Sequence, residues 1–324
     1  MAGIRLSLAV AIALAASVHG LRLADEEQAN ATDAANAANT THMENLIRPP
    51  IRLVRPVQVK WTYFPPEPRL GIVTGGTPEE YEEGSHGQKA ALILMTYAKK
   101  KGYALYVDRN IGRYTARHHS WAKLHVMHQL LDDVPLLVWI DPDVLLTDMD
   151  FSLETLIKQS PCKGAQQLRW DQYFPEEVQD DTFLWLSADT RQGGMDQYAV
   201  NTAPGIMVLR SGPEAKEFLE RVWRVGEIPN YYARHSYAAR KKEGQAGEWP
   251  YEQGAIWDVL AGMPSHYMRK ACIAPVGHLH SLTDAKWKDS MALRRLTDKN
   301  LHMKNKIADD YLRKFNLAKP LLKV

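Results

Sequence analysis

The chain lacks an excess of charge of either sign. Forty Lys and Arg stand against 38 Asp and Glu over 324 residues. Without a basic surplus, the phosphate backbone of a nucleic acid is excluded as the default partner. Cysteine is scarce, with only Cys162 and Cys272, so at most one disulfide can form; two buried thiols are the alternative. An apolar run long enough to span a membrane is missing as well. The N-terminal run from Leu6 to Val18 (LSLAVAIALAASV) falls short of the roughly 20 residues a membrane span needs. With Arg5 before it and small residues from Ser17 to Gly20 after it, residues 1–20 read as a signal peptide cleaved near Gly20. An uncleaved anchor, leaving a type II membrane protein, is the alternative. Either one directs the chain into the secretory pathway, to the Golgi lumen or outside the cell. The sequons at Asn30 and Asn39 fit luminal exposure. No internal repeat is present.

What is present is the make-up of a buried core: 45% hydrophobic and 24% charged residues are ordinary for a globular protein. Residues 21 to about 50 are rich in Ala, Asn, Thr and acidic side chains, and prolines recur from Pro49 to Pro68, so 21–68 reads as a flexible stem. Strands and helices then alternate. Leu70–Thr74 predicts a strand ending in Gly75-Gly76, His86–Lys101 a helix, Tyr103–Val107 a second strand, Trp121–Leu131 a second helix and Leu136–Ile140 a third strand. That alternation predicts parallel pairing in an α/β architecture. Short apolar runs at Phe183–Ser187 and Gly205–Arg210 follow, then helices at Pro213–Val225 and Pro250–Leu260. Residues 291–324 are charged and helix-prone, and read as an appended helical tail.

The stretch Leu136–Asp143, LLVWIDPD, is the most informative. Its apolar run predicts a buried strand, and it ends in two carboxylates one residue apart. Because strand side chains alternate in direction, Asp141 and Asp143 are expected to point the same way as the chain leaves the sheet. Two hard oxygen donors at the carboxyl end of a buried strand suit a divalent metal that also holds phosphate oxygens. A nucleotide-sugar transferase needs that geometry, because its leaving group is a nucleoside diphosphate. Asp-x-Asp pairs also cap helices and open turns, so the rest of the chain has to decide.

Several further blocks occur in order: IVTGGTP from Ile72, YAKKKGY from Tyr97, HSWAK from His119, VWIDPD from Val138, NTAPGIMVLR from Asn201 and YEQ from Tyr251. From Leu70 to Trp287 the chain thereby resembles glycosyltransferase family 34, of galactosyl-, xylosyl- and mannosyltransferases, and more distantly the glycogenin-like family 8. The resemblance implies a GT-A fold, a Rossmann-like mixed sheet flanked by helices in a single catalytic domain over 69–290. It implies a nucleoside diphosphate sugar as donor (UDP-galactose, UDP-xylose or GDP-mannose), a glycan acceptor, Mn²⁺ and retention of configuration. Pro142 between the carboxylates, Thr202 and Pro204 around Ala203, and Glu252 in place of Asp depart from the family pattern.

Site residues follow from the same resemblance. Asp141, Asp143 and His280 would hold the metal, with His278 as an alternative to His280, and the imidazole favours Mn²⁺ over Mg²⁺. Lys286, six residues after His280, would neutralise the departing diphosphate. Thr74 and Gly75 would let the backbone approach the nucleotide, with Tyr81 as a stacking candidate. Lys123 would reach sugar or phosphate, although a solvated helix lysine explains it as well. Gln253 would contact the donor sugar, or simply start a helix after Pro250.

Two other readings remain. A haloacid-dehalogenase-like phosphatase also ends a strand in Asp-x-Asp, but expects it on the first strand of the domain and expects a separate acidic pair, for which only Asp180-Asp181 is near. A secreted glycan-binding protein on the same fold would need no leaving-group site and would ignore UDP and Mn²⁺.

Overall fold

The computed structural model describes residues 60–115, 117–163, 174–188, 202–227, 251–261, 266–275, 278–279, 293–296 and 301–317. All belong to one compact unit, Ile51–Val324. Its centre is a six-stranded sheet built from β1 (Gly71–Gly75), β2 (Ala104–Asp108), β3 (Leu136–Ile140), β5 (Leu184–Ala188), β6 (Thr202–Arg210) and β7 (Ala271–Ala274), in the order β2-β1-β3-β6-β5-β7. A two-stranded sheet pairs β4 (Val144–Leu146) with β8 (Leu293–Arg295). The helices are α1 (His86–Lys101), α2 (Ala122–Leu130), α3 (Leu153–Lys158), α4 (Pro213–Val225), α5 (Tyr251–Ala261) and α6 (Leu301–Lys314). Among the described residues no helix is long and apolar enough to cross a membrane.

β1 is buried at every position and β3 at all but its first. Such near-continuous apolar runs belong to strands covered on both faces. The helices cover them by simple sequence devices. Ser85 caps α1 by accepting the Gln88 N–H, and Gly102, at φ 68°, ends it in the left-handed region that glycine occupies without strain. α4 opens with Pro213 and turns Ala215, Phe218, Leu219, Val222 and Val225 inward, the spacing of a one-faced helix.

Parallel pairing holds for β1 with β2, β1 with β3 and β5 with β7. Beyond the alternating part, β6 runs antiparallel to both β3 and β5, which makes the sheet mixed, as the family resemblance implied. A strand buried on both faces carries the same apolar run whichever way it points, so the sequence cannot show the reversal. The pairing matters for the site, because it lays Ile206 beside Ile140 and Pro204-Gly205 beside Asp141.

Two segments set apart in the sequence join this unit. From Lys60 on, the presumed stem edges the sheet: Tyr63 bridges Leu105, and Thr62 Oγ1 accepts the Val107 N–H. The presumed tail supplies β8 and α6. Leu293, Leu296, Ala308 and Leu312 enter the core that also holds Tyr97 and Ile140, with Ile307, Tyr311 and Phe315 packed against it. The charged outer face of α6 reads as a solvated helix and hides this apolar stripe. Cys162 and Cys272 form a disulfide that ties the segment after α3 to β7.

Candidate active site

The carboxylates leave the sheet as expected, at the carboxyl end of β3. Asp141 donates its backbone N–H to Gly205 O on β6 at 2.8 Å, and Val144 N–H returns to Asp141 O at 3.0 Å. These bonds close a four-residue turn with Pro142 in its second position, where proline's restricted φ is favoured. Leu296 N–H then bonds Asp143 O at 2.7 Å, so β8 secures the far side of the turn.

β1 approaches this turn too closely for side chains. A β-carbon on Gly76 would lie 2.4 Å from Glu80 Oε2 and 3.2 Å from Pro142 Cγ, and one on Gly75 would lie 2.5 Å from Ile111 Cγ2. Gly75 and Gly76 therefore let the side chains of Ile111, Glu80 and Pro142 pack against the backbone here. Thr74 is buried and its hydroxyl is hydrogen-bonded to Tyr81 OH at 3.2 Å. Tyr81 is buried too, so its ring is part of the core and offers no stacking face for a base.

Asp141 is braced from below. Its Oδ1 accepts Trp139 Nε1 at 2.6 Å and Lys123 Nζ at 3.2 Å. Lys123 also contacts Glu252 Oε1 at 2.8 Å and donates to Pro204 O at 3.4 Å, and is only 3% exposed. An ammonium has three hydrogens, and three acceptors surround this one. Burial alone would depress the Lys123 pKa, but the Asp141 and Glu252 charges outweigh it and hold it above the ordinary lysine value. Lys123 thus does not reach out to sugar or phosphate. It orients Asp141 and links the turn to the first turn of α5, where Gln253 follows Glu252 at the edge of solvent.

Three carboxylates crowd the mouth of the site. Burial raises the Glu80 pKa; the Thr77 N–H and His119 oppose it, and the charges of Asp143 and Asp141 add to it. Opposite, Lys304 on α6 lies 3.7 Å from Asp143 Oδ2. Beyond Gly75, Asp108 Oδ2 accepts the hydroxyls of Tyr106 and Tyr114 at 2.7 Å and Arg113 Nη2 at 2.8 Å. Glu80, Asp108, His86 and Lys304 all escape the sequence reading, because none lies in a recognisable block. Glu252 does lie in one, and its pairing with Lys123 was hidden by their separation.

No group of three His, Cys, Asp or Glu side chains among the described residues is arranged to hold a metal ion. Asp141 and Asp143 are hard oxygen donors in an acidic mouth, which suits a divalent cation. The third ligand proposed from sequence, His280, and the diphosphate lysine, Lys286, lie outside the described residues, as do residues 1–20 and both sequons. His278 is described, and burial lowers its pKa while a hydrogen bond to the Leu156 backbone raises it. Its Nε2 is buried and finds no hydrogen-bond partner among the described residues, so one ring nitrogen is left for a ligand. The phosphatase reading also fails here: the Asp pair stands on the third strand, and Asp141, its would-be nucleophile, is held by Lys123 and Trp139.

Comparison with solved structures gives distant likenesses. A glycosyltransferase involved in the glycosylation of the major capsid of PBCV-1 is 12% identical, with 75% of this chain and 100% of that one covered at a TM-score of 0.49. The galactosyltransferase LgtC, in complex with donor and acceptor sugar analogs, is 12% identical over 78% of this chain and 98% of its own, with a TM-score of 0.43. Mouse xyloside xylosyltransferase 1, in its apo form, is 10% identical over 70% and 97%, with a TM-score of 0.38. No curated protein matches the chain in sequence. The family comparison is of a different order, because the family model matches residues 67–273, more than half of the chain. The protein is therefore a glycosyltransferase, and it belongs to the galactosyl transferase GMA12/MNN10 family.

Proposed function

We propose that this glycosyltransferase depends on a divalent metal, Mn²⁺ by preference, and moves a hexose or pentose to a glycan hydroxyl with retention of configuration. Its donor is UDP-galactose, UDP-xylose or GDP-mannose. The observation that carries this reading is the Asp141–Asp143 turn at the end of β3, with Asp141 held by the buried Lys123–Glu252 pair. A cation bound there would supply positive charge to the diphosphate as it departs. Asp141 and Asp143 would be its ligands, with His280 as the third, and Lys286 would add a second positive charge on the leaving group. The protein's own part is mainly positional. Lys123 fixes Asp141, Glu252 fixes Lys123, and the shared first turn of α5 presents Gln253 toward the sugar. Departure and attack on one face need no strong base.

The secretory pathway is the compartment we propose, in the Golgi lumen or beyond. The N-terminal apolar run, the two sequons and the Cys162–Cys272 disulfide support it.

The test is donor hydrolysis by the purified protein with Mn²⁺ over a panel of UDP- and GDP-sugars. Slow release of one nucleotide, lost with EDTA and in Asp141→Ala or Asp143→Ala, is the expected result. Absence of both hydrolysis and Mn²⁺-dependent nucleotide binding would instead leave a glycan-binding protein on this fold.

A further inference from the structure

We propose that Lys304, on the C-terminal helix α6, couples metal binding at Asp143 to binding of the donor's diphosphate. This rests on the metal site proposed above and adds to it a residue that no motif of the chain contains.

Three observations converge. The Lys304 ammonium lies 3.7 Å from Asp143 Oδ2, and the two side chains are only 20% and 19% exposed. The helix that carries it is anchored. Lys89 of α1, itself nearly buried, binds Asp309 Oδ1 at 2.8 Å and the Asn305 carbonyl at 3.2 Å, while Ala308 and Leu312 sit in the core. The backbone next to Lys304 is therefore held in place, unlike that of a lysine on a free tail. Finally, the contact between α1 and α6 holds buried polar atoms that are incompletely bonded. His86 is 3% exposed, and neither of its ring nitrogens nor Asn305 Oδ1 finds a hydrogen-bond partner among the described residues.

One carboxylate cannot serve an ammonium and a divalent cation on the same side without the two cations repelling each other. A metal ion arriving alone must therefore displace Lys304 from Asp143, and binds less tightly for it. A nucleoside diphosphate arriving with the metal offers phosphate oxygens that the displaced ammonium can take up. Metal and nucleotide then bind better together than apart, and the coupling is reciprocal. Lys304 thus competes with the metal for Asp143 and then contacts the diphosphate.

The experiment measures the Mn²⁺ dissociation constant by calorimetry, alone and with saturating UDP or GDP, for the full-length protein and its variants. Lys304→Met is expected to bind Mn²⁺ alone roughly two- to fivefold more tightly, the worth of a partly exposed ion pair. The factor by which nucleotide improves Mn²⁺ binding should fall at least as much, and Lys304→Arg should stay near the parent. Asp309→Asn, which removes the Lys89 ion pair and weakens the hold on α6, should move both quantities the same way, by less, with Lys304 intact. Unchanged or weaker Mn²⁺ binding by Lys304→Met, with coupling preserved, overturns the proposal. If the parent binds no Mn²⁺, or binds it equally after Asp141→Ala, the metal site falls first and this proposal with it.

Discussion

Lys123 shows how burial turns a catalytic-looking lysine into a structural one. Its ammonium is shut in with Asp141 and Glu252, the latter 4% exposed, so removing it strands two buried or half-buried carboxylates. Lys123→Met should cost about 3–5 kcal/mol in denaturant unfolding. Adding Glu252→Gln should restore part of that, since it removes one of the stranded charges. His86 gives a second prediction, in pH. Burial, then the charges of Lys304 and Lys89, lower its pKa from 6.5 to about 4. The unfolded chain thus binds a proton that the folded protein refuses, so this contribution is complete above pH 6.5 and is lost as pH falls toward 4. It amounts to about 3 kcal/mol. Urea unfolding at pH 7.5 and 4.5 should show a smaller loss in His86→Leu than in the parent. At this scale the sequence revealed Asp141, Asp143 and the glycines of β1, each marked by its neighbours in the chain. It concealed His86, Glu80 and Lys304, whose roles come only from what the fold sets opposite them.

Elements were legible where they are long and one-faced. α1, α4 and β3 appear with their expected bounds, because period and capping residues agree there. The three-residue strands β4 and β8 are too short to show any period. α6 was visible as a helix but not as a docked one. Its end carries a compact signal: Leu317 N–H bonds Leu312 O at 2.9 Å, Asn316 N–H bonds Arg313 O at 3.0 Å, and Asn316 stands at φ 52°. That is a Schellman ending with asparagine in the left-handed position. Asn316→Ala should lower stability by about 1 kcal/mol, and Asn316→Gly should match or exceed the parent in thermal unfolding.

For the molecule as a whole, closure matters more than any one pair. The disulfide spans 110 residues, and it encloses β5, β6, α4 and α5 in one loop. Opening such a loop costs about 4–5 kcal/mol by the chain-entropy account. Cys162→Ala with Cys272→Ala should therefore lower the unfolding free energy by about that much, and added reductant should not destabilise the double variant further. The sequence left this bond undecided because two cysteines say nothing of their separation in space. Strand order is a like case, set by pairing between segments far apart in the chain.

The Asp141–Val144 turn has one more consequence. Pro142 restricts the backbone between the two carboxylates, and hydrogen bonds to Gly205 and from Leu296 secure either flank. The spacing of the two aspartates along the turn is thus a property of the main chain, whatever rotamers their carboxylates take. In the metal-dependent reading proposed above, the two ligands would then be offered from a backbone already set before any ion arrives, so little ordering of the chain would be left to oppose binding.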